Sequence, residues 1–451
     1  MSRRRYACTL LERMQLRNLA EELFRDADNM EFALAAVGDV EALLLLMPLC
    51  CETRELAFKC LEATMVPRAH RDASYAVRSW HYFSQSRDFA AFFRFEAADM
   101  QRVFTALEVP DVLPYKEANG TRRRVNGKLA FTALLFRLAT GTRATAVNAT
   151  LGLKRTALSR VCCALLDFLF ERWYRVLFAS DLRRWAPHFP RWAAAAWRKQ
   201  QSVPGAGGRG HPTVVAFTDG HLNNTARPDG VTQEEFYNNQ HKHHGLKFLA
   251  TFGVNGIILD VVGGCAGRHN DQWLLGCGEV LRRWDACLQW TVGRTMHGVY
   301  DGQPFSVRGD ASWVQPGYIL YGDAGFNVST YLQCPFKASH GELGPAETAL
   351  NSIMCRPRIA NEWVLGRMHT LWPALSQETI MQIGNGYVTK YFIAAAMLTN
   401  AHTCLYGYQG NDYFGVLPPT LEEYFGEAPD KADCPRPWYD YEAEYERIDA
   451  L

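Results

Sequence analysis

The hydrophobic pattern divides the chain into a helical half and a half where strands and helices alternate. Residues 1 to about 95 carry apolar positions at spacings of three and four, as in "LLERMQLRNLAEELF" and "DVEALLLLMPLCCETRELAFKCLEATM". That period predicts amphipathic helices. The helical pattern continues over 96–180. Leu129–Leu138 reads as one apolar helix ended by Gly141, Ala144–Leu151 as a short second, and Arg155–Trp173 as a third after Gly152.

Beyond a Gly-rich polar stretch, "KQQSVPGAGGRGH" at 199–211, the pattern changes. Val214–Thr218 is a short apolar run that reads as a buried strand. "LKFLATFGV" and "GIILDVVGG" are two more, joined by Asn255-Gly256, a strong hairpin signal. "NDQWLLGCGEVLRRWDACL" reads as one amphipathic helix, "GYILYGD" as a strand, and "ANEWVLGRMHTLWPAL" and "TKYFIAAAMLTNAHTCLYGY" as helices. This order predicts an α/β domain with a mixed sheet flanked by helices, preceded by an all-α region. The boundaries are a helical N-terminal region at 1–95, a second helical region at 96–180, a linker at 199–211 and the α/β domain at 212–410. An insertion is expected near 288–316, and an extended acidic tail over 411–451. Residues 421–451 hold ten Asp/Glu against three Lys/Arg.

The second and third helices, set about the tight turn at Gly152, have helix-turn-helix spacing. Lys154 and Arg155 stand at the start of that third helix, and Arg122, Arg123 and Arg124 add positive charge upstream. These residues fit contact with DNA phosphates. A plain helical bundle using Gly152 as a C-cap fits the same pattern.

Composition limits the alternatives. The chain has 451 residues, 48% of them hydrophobic and 21% charged, which is globular composition. A net charge of +1 means that any polyanion must be met by a local patch. The 13 cysteines show no CxxC pair and no zinc spacing, as expected of reduced thiols inside the cell. No apolar run reaches the length of a membrane span. Basic runs at 3–5 and 122–124 agree with a nuclear location.

The candidate chemistry lies in three carboxylates. Asp219 closes the apolar strand in "VVAFTDGH", and Asp323 closes the later one in "YILYGDAGF". Glu362 lies on a helix, on one face with Arg358 four residues before it. Carboxylates gathered at one point repel one another unless cations neutralise them. Two Mg²⁺ or Mn²⁺ ions suit such hard oxygen ligands, and a metal pair of this kind clamps both oxygens of a displacement at phosphorus. On this reading Asp219 bridges the two ions, and Asp323 and Glu362 each complete one. Asp271 is expected to cap the helix that it begins or to stand near the metals. In "HKHH", His241 and His243 share one side of a strand, whereas Lys242 and Lys247 suit DNA phosphates.

From about residue 125 to 405 the chain resembles the PIF/Harbinger-type DDE transposases. The resemblance rests on "FTDGH" at 217–221, "GDAGF" at 322–326, and Arg358, Glu362, Trp363 and Gly366 in "RPRIANEWVLGRMH". It departs from the family at His221, Asn270, Leu365 and His369. It implies an RNase H-like nuclease domain that hydrolyses phosphodiesters and transfers strands, with a helix-turn-helix before it. Expected partners are DNA, further copies of the chain and a separate DNA-binding protein, with no membrane. A transposase-derived DNA-binding adaptor without nuclease activity is the alternative, and a host nuclease that does not transpose is another.

Overall fold

The computed structural model describes residues 89–426 apart from 118, 142–150, 152, 154, 202–212, 230–232, 316, 339–341 and 385–386, together with Ile448. The expected helices of 1–88, the second helix and turn of the helix-turn-helix, Lys154 and most of the linker lie outside the described residues. The chain forms two compact units, 1–168 with 369–380, and 169–368 with 381–451.

In the first unit, α1 (Phe89–Phe93) and α2 (Ala97–Ala106) are followed by a hairpin of β1 (Val112–Lys116) and β2 (Arg122–Asn126). The region is therefore not all-α. The reversal is made at Asn119-Gly120, where Gly120 adopts φ +80 and Asn119 accepts a hydrogen bond from the Thr121 amide. The dipeptide is the same as at Asn255-Gly256. Asn126 then caps α3 (Gly127–Thr140), accepting from Leu129 N at 3.2 Å. Gly141 ends α3 as expected, in the left-handed conformation at φ +58. Phe92, Phe93 and Phe136 pack together, as do Phe104 and Phe131.

The third predicted helix is α4 (Arg155–Leu177), which continues into the second unit. In that unit, α5 (Phe189–Gln201) lies against β3 (Val214–Asn224). Strand order across the sheet is β6 (Ile258–Ala266), β5 (His243–Gly253), β3, β9 (Ile319–Tyr321) and β10 (Leu332–Gln333), with β4 (Tyr237–Asn238) beside the start of β5. β3, β5 and β6 pair antiparallel, whereas β9 and β10 run parallel to β3. The β5–β6 turn is the expected one, with Gly256 at φ +78. β3 is longer than expected. Its pairing with β5 continues to Asn224↔Gly245, so Asp219 lies inside the strand and not at its end.

The helix expected over 270–288 is two helices, α6 (Asp271–Cys277) and α7 (Val280–Thr291). A side chain at Gly278 would meet Val262 of β6 at 2.7 Å, so the chain passes close to the sheet there and turns through Glu279 at φ +47. The segment expected as an insertion holds the end of α7, a hairpin of β7 (Thr295–Tyr300) and β8 (Gln303–Arg308), and a single turn at Ala311–Trp313. α8 (Pro345–Leu371) carries Glu362, and α9 (Val388–Tyr406) covers one face of the sheet. On that face Phe392 stacks on Phe248 with ring centroids 3.8 Å apart. Such a pair contributes about 0.5–1.5 kcal/mol beyond its buried area.

The part of the expected tail that is described is folded. Helical turns at Gln409–Phe414 and Leu421–Phe425 bury Phe414, Leu421, Tyr424 and Phe425. Apolar residues, not the acidic balance, decide the start of that segment. Among the described residues no helix is long and apolar enough to cross a membrane.

Candidate active site

β3 is buried from Val214 to Thr218, becomes partly exposed at Asp219, Gly220 and His221, and is buried again at Leu222. This window opens because β9 ends at Tyr321, whose register partner is Phe217. Asp219 and Asp323 each follow that pair by two residues. Parallel neighbours in register therefore bring the two carboxylates to one level of the sheet.

The two are coupled electrostatically. The Asp219 carboxyl is pushed up from the ordinary 3.8 to about 6, chiefly by burial and next by the charge of Asp323, with a smaller push from Asp271. The Arg358 guanidinium and the Gly220 amide, which donates to Asp219 Oδ1 at 2.9 Å, pull it down. Asp323 is about half exposed, in the turn after β9.

Glu362 lies on α8, with its side chain 62% exposed. Arg358, one helical turn earlier, connects it to Asp323. Arg358 Nη1 is 3.1 Å from Asp323 Oδ1, and Nη2 is 3.9 Å from Glu362 Oε1. Among the described residues no three Asp, Glu, His or Cys side chains are gathered closely enough to hold a metal ion. Asp219 and Asp323 are coupled by charge, and Arg358 stands between Asp323 and Glu362. The donor set still suits a hard cation: three carboxylates, two of them coupled, with one positive side chain among them.

Asp271 does not cap α6. Asn270 does, accepting from Trp273 N at 2.7 Å. Asn270 is the better cap because it precedes the helix, whereas Asp271 is its first residue. The Asp271 carboxylate pairs with Lys247 Nζ at 3.0 Å. A side chain at Gly220 would meet Asp271 Oδ1 at 1.9 Å, so only glycine admits this carboxylate. Side chains alternate along β3, so Gly220 and Asp271 lie on the face opposite Asp219 and His221. His221 stacks on Phe392 on the Asp219 face.

Lys247, expected at DNA phosphates, is only 3% exposed and is held by Asp271. It lies on the Gly220 face of the sheet, where Asp271 is its partner. Lys242 is exposed in the turn before β5, at φ +58, with His241 and His243 exposed beside it. Arg122, Arg123 and Arg124 are exposed on β2 in the first unit, and Arg123 lies 3.3 Å from Glu117. Arg155 begins α4.

Two features do not follow from the sequence pattern. One is a buried ion pair, Asp260 with Arg283, whose side chains are each 2% exposed and 2.6 Å apart. Asp260 also accepts from Ser180 N, and Arg283 donates to Gly278 O, so the pair ties α7 to β6. An aspartate inside an apolar strand, "IILDVVGG", is its one signal in the chain. The other is an open cavity of about 700 Å³ on the Gly220 face, with Arg227, Tyr237, Lys247 and Arg268 among its walls.

Residues 218–400 match the family model described as DDE superfamily endonuclease. The matched segment contains Asp219, Asp323 and Glu362. No curated protein and no solved structure matches the chain.

Proposed function

We propose that this protein is a divalent-metal-dependent DNA endonuclease of the DDE transposase type, with an RNase H-like nuclease domain over 212–410. The observation that carries the reading is the placement of Asp219 and Asp323 at one level of adjacent parallel strands, inside a segment similar to DDE endonucleases. The sheet order, with three antiparallel strands continued by two parallel ones, supports the same reading.

Asp219, Asp323 and Glu362 would hold Mg²⁺ or Mn²⁺. When bound, such cations activate a water for attack at phosphorus and stabilise the leaving oxygen. The protein's own contribution is positioning. The β3–β9 register sets the two aspartates, α8 brings Glu362, and the Gly220 amide fixes one Asp219 oxygen. With its carboxyl at about 6, Asp219 is mostly ionised at neutral pH and available to a cation. Exposed Arg122, Arg124, Lys242 and Arg268 suit the phosphates of the substrate. Helix-turn-helix contacts by Lys154 and Arg155, transfer of strands, a homo-oligomer, a separate DNA-binding partner and a nuclear location belong to the same proposal.

The test is nicking of supercoiled plasmid by the purified full chain. Cutting is expected with Mg²⁺ or Mn²⁺, absent with EDTA, absent in Asp219→Asn, and leaving 3′-hydroxyl ends. Equal cutting by parent and Asp219→Asn overturns the site. DNA binding by a parent that never cuts would leave the adaptor reading.

A further inference from the structure

The structure assigns to Arg358 the role of a resident counter-ion: it occupies the carboxylate site and releases it when a phosphodiester draws the guanidinium away, so that cation loading and DNA binding are coupled. This rests on the nuclease reading above and adds to it how the site is loaded.

The geometry is that of a plug. One planar guanidinium spans two carboxylates from different elements, Asp323 after β9 at 3.1 Å and Glu362 on α8 at 3.9 Å. The guanidinium also acts on Asp219, where its charge opposes the effects of burial and of Asp323. Arg358 thus balances all three carboxylates of the candidate site.

The plug is also removable. The Arg358 side chain is 25% exposed, and both of its partners face solvent. Ion pairs of this exposure are screened by water and exchange readily. Divalent cations entering the site would repel the guanidinium. A guanidinium so displaced matches the paired oxygens of a phosphodiester, which it can hold in a fork. DNA would then take the arginine as cations take its carboxylates. Linkage requires each ligand to strengthen the binding of the other by the same factor.

The experiment is calorimetric titration of the full chain with Mn²⁺, alone and with a short duplex oligonucleotide in a low-salt buffer. The parent is expected to bind Mn²⁺ about tenfold more tightly when the duplex is present, within the usual range of coupling between sites. Arg358→Gln is expected to bind Mn²⁺ about tenfold more tightly than the parent without DNA, and to gain less than about twofold from the duplex. Arg358→Lys, which keeps the charge but not the fork, should fall between the two. It also serves as the reading if Arg358→Gln does not fold, and an affinity and DNA gain equal to the parent's then overturn the inference. Unchanged or weaker Mn²⁺ binding by folded Arg358→Gln overturns it, since Arg358 would then hold Glu362 in place for the metal. An undiminished gain from DNA overturns it as well. Asp219→Asn separates the two levels: if it binds Mn²⁺ as the parent does, the ions bind elsewhere and the nuclease site itself fails.

Discussion

Phe217 and Tyr321 are register partners on parallel strands, and each is followed two residues later by an aspartate. A parallel pair in register carries its next residues forward at the same rise. Asp219 and Asp323, far apart in the chain, therefore meet where β9 ends and β3 continues. The meeting has consequences for stability as well as for chemistry.

The Asp219 carboxyl is raised from 3.8 to about 6 in the metal-free protein, so the folded state binds this proton more tightly than the unfolded state. Its contribution to stability is present below about pH 3.8 and is lost as pH rises through 6. Keeping the charged carboxylate at neutral pH costs on the order of 3 kcal/mol by this linkage. Asp219→Asn, with EDTA present, should be as stable as the parent or more stable at pH 7.5, by about 1–3 kcal/mol. The difference should shrink toward pH 4. Urea unfolding at the two pH values measures it, and a variant less stable at pH 7.5 contradicts the assignment.

Metal addition should have the opposite preference. A ligand that binds only the folded state raises the melting temperature, by about 2.7 kcal/mol in stability at a hundredfold excess over its Kd. Mg²⁺ should raise the parent's melting temperature and leave Asp219→Asn unmoved. Equal shifts in both proteins would place the ions outside this site.

Asp260 and Arg283 should matter to folding and not to cutting. Asp260→Ala leaves a buried guanidinium unpaired and should cost about 3–5 kcal/mol. The denaturant midpoint reports this directly. A loss below about 1 kcal/mol would mean that water reaches Arg283 once its partner is gone.

Gly220→Ala places a methyl group where Asp271 Oδ1 now lies, 1.9 Å from the added carbon. The carboxylate must move, and with it the partner of buried Lys247. A cost of about 1–3 kcal/mol is expected, as for other overpacked positions, read from thermal or urea unfolding.

Lysine and arginine should part company in DNA binding. Arg122 and Arg124 are exposed, and replacing both with Ala should flatten the salt dependence of duplex binding by about 0.9 in the log–log slope for each phosphate left without its cation. Lys247→Ala should destabilise the fold and leave that slope as it was. Fluorescence anisotropy across a salt series distinguishes the two.

The local pieces of this protein are legible in its sequence. The apolar runs of β3, β5 and β6, the Asn255-Gly256 turn and the Gly141 cap can all be read there, because each depends on neighbours within a few residues. So can the three carboxylates and Arg358, whose order and flanking residues stand out in the chain. Where an element stops is less legible. β3 runs past Asp219 because β5 keeps pairing with it to Asn224, and α6 breaks from α7 because Gly278 passes too close to Val262. Asn119-Gly120 is a legible turn, hidden by the helical pattern around it. Which charges meet is settled in three dimensions alone. Lys247 meets Asp271, Asp260 finds Arg283, and Arg358, whose place beside Glu362 follows from helical spacing, reaches Asp323. Charge pairing depends on distance in space and on desolvation, and both are set by how the sheet brings separate segments together.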